Sequence, residues 1–292
     1  MFSGVLNIYK PKGYTSHDII NKVRRIAGMK KVGHTRTLDP MAEGVLPVCL
    51  GKATRIAEYL TGEEKEYIAE VTLGAETDTL DAEGEIIREC SVPEISEDML
   101  QEVLKTFVGD LVQIPPMYSA IKRDGKPLYK YAREGLDFEL PGRDISIYYI
   151  DLISFEGITF KIRVGCSKGT YIRSLARDLG VKLGSCGHLS SLIRSKSGNF
   201  NITNAVTLET LQEEGVEKYL ISIDEAIPQF TPVKLNEENS KKASLGNFVL
   251  LEDEEYNELV NSDMIKIFAF DGSLIAIGTL KERVLKPKKV FV

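Results

Sequence analysis

The sequence predicts an α+β fold: a mainly antiparallel sheet flanked by helices, then a small β-rich C-terminal domain. Three observations carry this. Strand-like alternation and helix-like periodicity follow one another without the regular rhythm of a parallel α/β sheet. Two alternating segments, ISIYYIDLISFE (145–156) and ITFKIRVGC (158–166), come directly one after the other. Beyond a break at PQFTPVK (228–234), only short strand candidates remain.

The first helix starts at Thr15 or Ser16 as cap, with Asp18 in its first turn. Its apolar residues Ile19, Ile20, Val23 and Ile26 repeat at helical spacing until Gly28. VLPVCL (45–50) is apolar enough for a buried strand, although Pro47 points to an edge or an irregularity. KATRIAEYL (52–60) reads as a helix and YIAEVTLG (67–74) as an alternating strand. SEDMLQEVLKTFVG (96–109) is a capped amphipathic helix with acids in its first turn. GTYIRSLARDLGVKLG (169–184) opens as a strand-to-helix joint. If the joint is extended, Tyr171 and Arg173 face the same way. The final strands are MIKIFAF, SLIAIGTL and VLKPKKVFV, with a DG turn at 271–272 between the first two.

With 43% hydrophobic and 27% charged residues, the 292-residue chain can bury a sizeable core and is not a disordered polymer. No apolar run reaches the roughly 18 residues of a membrane helix, and MFSGVLNIYKPKG lacks the pattern of a signal peptide. Cys49, Cys90, Cys166 and Cys186 form no C-x-x-C pair. They are therefore expected as buried or free thiols in a reducing compartment, which places the protein in the cytoplasm. The net charge of −6 argues against a polyanionic partner, but its distribution argues the other way. Residues 1–60 hold ten bases and four acids, and residues 161–196 hold eight bases and one acid. The acids concentrate in 63–114, fifteen against three bases. Segregated basic segments can converge on one face and neutralise phosphates.

The stretch KKVGHTRTLDPMAEGVLPV (30–48) places one carboxylate, Asp39, in a basic, glycine-punctuated loop. An aspartate before proline is by default a turn or capping residue. The other chemistries fail on spacing. Three histidines and four scattered cysteines give no zinc pattern, and there is no G-x-x-x-x-G-K-[ST], G-x-G-x-x-G or G-x-S-x-G. TDTLDAEGE (77–85) is a poor calcium loop, with Thr79 and Cys90 at its first and twelfth positions. Carboxylate chemistry without a cofactor or metal remains.

The order of YKPKGYTSHD, KVGHTRTLDPMAEGVLPVCLGKATR, EYIAEVTLGAETDTLDAEGE, QIPPMYSAIKRDGKPLYKYAREG, GTYIRSLARDLG and SLIRSKSG resembles the bacterial tRNA pseudouridine synthase B family across residues 3–200. The resemblance implies an isomerase that makes pseudouridine at position 55 in the TΨC loop of tRNA. It implies a catalytic domain (1–229) on a central, mostly antiparallel sheet, with an RNA-gripping insertion around 112–145. A PUA-like RNA-binding domain (230–292) would follow. The implied partner is the T-arm stem-loop of tRNA, bound by a monomer with no small-molecule cofactor, no metal and no membrane.

By the same resemblance, Asp39 is the catalytic nucleophile, and Arg173 pairs with it and orients it. Tyr67 stacks on the flipped uracil, Tyr171 and Leu192 border the uridine pocket, and His34 fills the stack the base has left. Lys10 and Pro11 support the site, and Lys12 contacts phosphate. A carboxylate suits the reaction because the C1′–N1 bond must break before C5 bonds to C1′. It can trap the oxocarbenium-like sugar, remove a sugar proton or add to the base. One departure stands out: Arg36 replaces the glycine usual in G-H-T-G-T-L-D-P. A second function class uses the same surfaces without chemistry, as a protein that remodels tRNA folding (an RNA chaperone). Asp39→Asn separates the two.

Overall fold

In the computed structural model, which describes residues 2–61, 64–136, 138–252, 256, 259 and 263–292, the chain opens with strand β1 (Gly4–Lys10). Helix α1 (Ser16–Ile26) follows, capped by Thr15 in a reciprocal capping box with Asp18. Next come β2 (Val32–His34) and β3 (Glu43–Leu50), a 3₁₀ turn at Gly51–Ile56, and α2 (Ala57–Thr61). Strand β4 (Lys65–Leu73) leads into a small hairpin of β5 (Ala75–Thr77) and β6 (Ile86–Glu89). Helix α3 (Glu97–Lys105) and β7 (Gly109–Gln113) precede a short hairpin of β8 (Lys122–Arg123) and β9 (Lys126–Pro127). Helix α4 (Leu128–Arg133) then leads to β10 (Arg143–Glu156) and β11 (Thr159–Cys166), which pair as a long hairpin. Helix α5 (Ile172–Lys182), β12 (Gly187–Ser197), β13 (Phe200–Asn201), α6 (Leu208–Glu214) and α7 (Ile223–Ala226) complete the first part. The C-terminal part holds β14 (Thr231–Lys234), α8 (Glu237–Ser244), β15 (Val249–Leu250), β16 (Ile265–Phe268), β17 (Leu274–Lys281) and β18 (Val284–Val290).

The main sheet runs β1-β3-β12-β4-β11-β10-β7, with β2 added to β3 and β13 to β12. Every pairing in it is antiparallel except a two-residue parallel contact of β3 with β12. The predicted class therefore holds: a mixed, mainly antiparallel sheet flanked by helices. Strand β4 shows why. Lys65, Tyr67, Ala69, Val71 and Leu73 are buried, while the residues between them are half-exposed. Ile19 and Val23 of α1, Leu100 of α3 and Leu175 and Leu179 of α5 pack with that buried face into one core. Each fully buried aliphatic side chain there contributes about 1.5–3 kcal/mol.

Where β3 meets β12, Gly44 has φ +100°, and a Cβ at this position would lie 2.3 Å from the Arg194 carbonyl oxygen. Only glycine lets the two backbones approach this closely. Of the two alternatives that Pro47 suggested, an edge or an irregularity, β3 shows the irregularity and is not an edge strand. Pro47 lies opposite Asn7 of β1, and on its other flank β3 pairs with β12 at 43–44 and with β2 at 48–50. The missing N–H therefore falls beside a gap in the ladder. The expectation for Tyr171 and Arg173 is also corrected. Tyr171 is the N-cap of α5 and Arg173 lies within its first turn, so they do not share an extended face.

The cysteine reading needs a larger correction. Cys90 and Cys186 are disulfide-bonded, while Cys49 and Cys166 are free and buried. The cause is the sheet: Gly74 donates its N–H to the Cys186 carbonyl and accepts from the Cys90 N–H, both at 2.9 Å. Two cysteines 96 residues apart thereby flank one glycine, with Cα atoms 5.7 Å apart, inside the range a disulfide spans.

The C-terminal strands form a separate five-stranded sheet, β14-β16-β17-β18-β15. The DG turn lies between β16 and β17 as predicted, with Gly272 at φ +84° and the Asp271 carboxylate accepting from the Ser273 N–H. This sheet is not tethered by a linker alone. Ile277 and Phe291 share a core with Val5 and Val45 of the main sheet and with Ile227 and Phe230. An ion pair of Lys289 with Glu58 at 2.8 Å and a hydrogen bond from Arg55 to the Val290 carbonyl lie beside it.

Candidate active site

The loop between β2 and β3 is held from below by the chain's first elements. Ser16, the first residue of α1, both accepts from the Leu38 N–H (2.8 Å) and donates to the Leu38 carbonyl (3.1 Å). The Gly13 N–H donates to the Pro40 carbonyl. Lys10 at the end of β1 is fully buried and donates its ammonium to the carbonyls of Pro11 (3.1 Å), Pro40 (3.2 Å) and Ala42 (2.5 Å). Burial pushes its pKa down to about 8, opposed by the nearby charges of Asp39 and Glu43. Lys10 and the Pro11 carbonyl it holds thus lie beneath the loop.

Above, the loop presents Asp39 to Arg173. The Arg173 Nε lies 3.0 Å from Asp39 Oδ2, and the two side chains are 6% and 37% exposed. The guanidinium is fixed on its other sides as well. It donates to the carbonyls of Thr79 (2.9 Å) and Tyr118 (2.8 Å), and it pairs with Asp81 at 3.4 Å. The start of α5 is itself clamped to β7. The Tyr171 N–H donates to Gln113 Oε1 (2.8 Å), and Gln113 Nε2 donates back to the Tyr171 carbonyl (3.1 Å). A planar fork held at four points has one orientation left, so it sets the orientation of Asp39.

Asp81 has no counterpart among the predicted site residues. It is 7% exposed and sits in the turn of the β5–β6 hairpin, where its carboxylate also accepts from Thr79 Oγ1 (2.7 Å) and the Glu83 N–H (3.1 Å). Leu80 beside it has φ +63°, the mark of a tight turn, and DTLDAEG carries that signal in sequence.

Asp39, Tyr67, Tyr171, Arg173 and Leu192 all line one cavity of about 210 Å³, open to solvent. Tyr67 on β4 stands opposite Arg194 on β12 in the sheet register. Burial raises the Tyr67 pKa, while the charge of Arg194 and a hydrogen bond from it act in the opposite direction. Arg194 is 1% exposed and donates to the carbonyls of Val45 (2.7 Å) and Arg36 (3.5 Å). A guanidinium this deep needs such partners. Sequence reasoning passed over it because arginine is ordinarily a surface residue.

His34, at the end of β2, does not line the cavity. It is half-buried beside the loop. Burial first, then the charge of Arg194, lowers its pKa, so the ring is neutral at neutral pH. Lys12 is exposed. Among the described residues, no three His, Cys, Asp or Glu side chains cluster as a metal site.

The arrangement is thus a single arginine-oriented carboxylate facing a small cavity walled by two tyrosines and a leucine. It can attack or stabilise an electrophilic carbon beside a planar ring.

The chain is similar in sequence and in fold to known proteins. A family model described as the TruB family pseudouridylate synthase N-terminal domain matches residues 24–172. A second, described as the tRNA pseudouridylate synthase B C-terminal domain, matches 173–227. The tRNA pseudouridine synthase B of Bacillus pumilus (strain SAFR-032) is 44% identical, with 100% of this chain and 98% of the relative covered. That of Caldanaerobacter subterraneus subsp. tengcongensis is also 44% identical, with 99% of each covered. Among solved structures, a chain of a Cbf5-Nop10-Gar1 complex superposes with a TM-score of 0.73 at 28% identity, covering 99% of this chain and 85% of that one. A chain of an H/ACA RNP bound to a substrate RNA containing 2′-deoxyuridine gives 0.72 at 25% identity, with the same coverage. The match of the family model across half the chain, and of these relatives across nearly all of it, agrees with the oriented carboxylate and its cavity: the chain belongs to the TruB family of pseudouridylate synthases, and is an isomerase.

Proposed function

We propose that the protein converts uridine 55 of tRNA to pseudouridine in the TΨC loop, with Asp39 as the nucleophile. The observation that carries this reading is the 3.0 Å contact of Arg173 with Asp39 at the wall of the cavity shared by Tyr67 and Leu192. The relatives' names supply tRNA as the substrate.

Asp39 lies in the lining of a cavity walled by Tyr67, Tyr171 and Leu192, so the target base must leave its stack to reach it. His34, neutral and beside the loop, takes the vacated position. Tyr67 stacks on the uracil, and Tyr171 and Leu192 border it. Asp39 acts on the uridine, the C1′–N1 bond breaks, and the uracil turns within the cavity. C5 then bonds to C1′ and loses its proton, while N1, which kept the electron pair of the broken bond, gains one. The product is an isomer of the substrate, so the balance needs no redox partner and no second substrate. The bound RNA must cover the open cavity and displace its water, or the detached base would be lost by hydrolysis.

Residues 1–229 form the catalytic domain in this reading, with 112–145 gripping the RNA, and 230–292 act as a PUA-like RNA-binding domain. Residue 137 and several positions between 253 and 262 fall in these segments but outside the described residues. The protein works as a monomer on the T-arm stem-loop of tRNA.

The test uses unmodified tRNA and an isolated T-arm stem-loop, with pseudouridine mapped by chemical adduct sequencing. Both should be modified at position 55 by the wild type. Asp39→Asn should modify neither while binding tRNA within about tenfold of the wild type, because phosphate contacts carry affinity and one carboxylate carries the chemistry. Pseudouridine formed by Asp39→Asn would overturn the assignment.

A further inference from the structure

Arg36 lines the cavity three residues from Asp39, yet its residue is exposed, unlike the buried Lys65, Arg173 and Arg194 that also line it. Those buried cations have internal duties. Arg173 is spent on Asp39, Asp81 and two carbonyls, and Arg194 on Val45, Arg36 and Tyr67. Lys65 donates to the Thr61 carbonyl. Both carboxylates of the site are thus taken by Arg173, and among the described residues no acid forms an ion pair with Arg36.

The backbone under Arg36 is fixed. Its carbonyl accepts from Arg194, the Thr35 N–H donates to the Pro47 carbonyl at 3.2 Å, and the Leu38 N–H donates to Ser16. Arg36 is not among the residues with positive φ, so its side chain is carried without backbone strain. A fixed loop therefore presents a guanidinium at the mouth of a cavity that a nucleotide must enter.

We propose that Arg36 is a phosphate anchor at the cavity mouth, gripping the backbone phosphate beside the nucleotide whose base occupies the cavity. The inference rests on the uridine reading above. A base that enters the cavity leaves its ribose-linked phosphates outside, at the rim, where Arg36 is the exposed cation of the lining. A guanidinium pairs with phosphate through two parallel hydrogen bonds, a geometry that lysine does not reproduce. The contact fixes the nucleotide's register relative to Asp39 while leaving the choice of base to the cavity.

Full-length wild type, Arg36→Ala and Arg36→Lys are compared on unmodified tRNA at a series of KCl concentrations, with steady-state kinetics and thermal melts. Arg36→Ala should raise KM about three- to tenfold at low salt, with a smaller effect on kcat, and the gap should close as salt rises. The slope of log affinity against log salt should fall by about 0.7–0.9, one phosphate contact, and Arg36→Lys should recover most of that slope. Melting should be unchanged. An unaltered slope, or a loss confined to kcat, would overturn the proposal and make Arg36 a shaper of the loop. Asp39→Asn separates the two readings, since it should keep the wild-type slope while forming no pseudouridine. If the wild type leaves uridine 55 unmodified but Arg36→Ala still flattens the slope, the uridine reading fails and the phosphate contact stands.

Discussion

Arg173 gathers its partners from three distant stretches of chain: Asp39 before β3, Thr79 and Asp81 in the β5–β6 turn, and Tyr118 beyond β7. The Asp39 and Arg173 positions are readable in sequence because each lies in an ordered run of motifs. The role of Asp81 is not readable, since TDTLDAEGE offers only acids in a turn until the fold brings Arg173 over it. The depth of Arg194 is hidden for the same reason. Arg173→Lys keeps a charge but cannot reach two carbonyls and two carboxylates at once. Its catalytic rate should fall by at least about a hundredfold, and stability should fall by about 1–3 kcal/mol as buried acceptors lose their donors. Single-turnover rates and urea unfolding measure the two effects. An unchanged rate would show that orientation of Asp39 does not depend on Arg173.

At the scale of elements, α1, α3, β4, β10 and β11 follow from periodicity and capping, and the helix read at 52–60 divides into a 3₁₀ turn and α2. Strand β12 does not follow from periodicity. Its sequence, GHLSSLIRSKS, is too polar to read as a central strand, yet it pairs with both β3 and β4 because Arg194 and several serines find partners within the sheet. The Asp39 loop is likewise defined by what lies beneath it. Lys10 holds three carbonyls there with one ammonium group, and a neutral amine has only two N–H donors for them. Activity should therefore decline above about pH 8 as Lys10 loses its proton. Stability should move the other way. The folded-state pKa of about 8 lies below the 10.5 of the unfolded chain, so between these values the unfolded state holds more protons. The unfolding free energy of the wild type minus that of Lys10→Met should thus rise with pH across the window of about 8 to 10.5. Urea titrations of both proteins at four or five pH values supply the comparison, and a falling difference would contradict the burial of a charged Lys10.

Across the whole molecule, the small C-terminal sheet is legible in sequence but its attachment is not. Short strands and a DG turn announce a separate unit, while Ile277 and Phe291 complete a core begun by Val5 and Val45. Nothing in a local pattern reveals a core shared over such a separation. Phe291 is 4% exposed. Phe291→Ala should cost about 3–5 kcal/mol, and the loss should appear in the unfolding of residues 1–229 as well as the tail. Hydrogen exchange on β1 and β3 measures that coupling. Unchanged protection there would mean that the two parts unfold independently.

The Cys90–Cys186 bond also has a topological consequence. It closes a ring that contains α3, β7, the whole 112–145 segment, β10, β11 and α5. By chain-entropy reasoning, closing a loop of this length stabilises the fold by up to about 4.7 kcal/mol. It also changes what a cut means. A protease that opens the exposed hairpin turn at 124–125 breaks the backbone without dividing the molecule, since both new ends remain joined through sulfur. Such a nicked protein should run as one band on a denaturing gel and separate into two only after reductant is added. Two bands without reductant would mean that the ring is open.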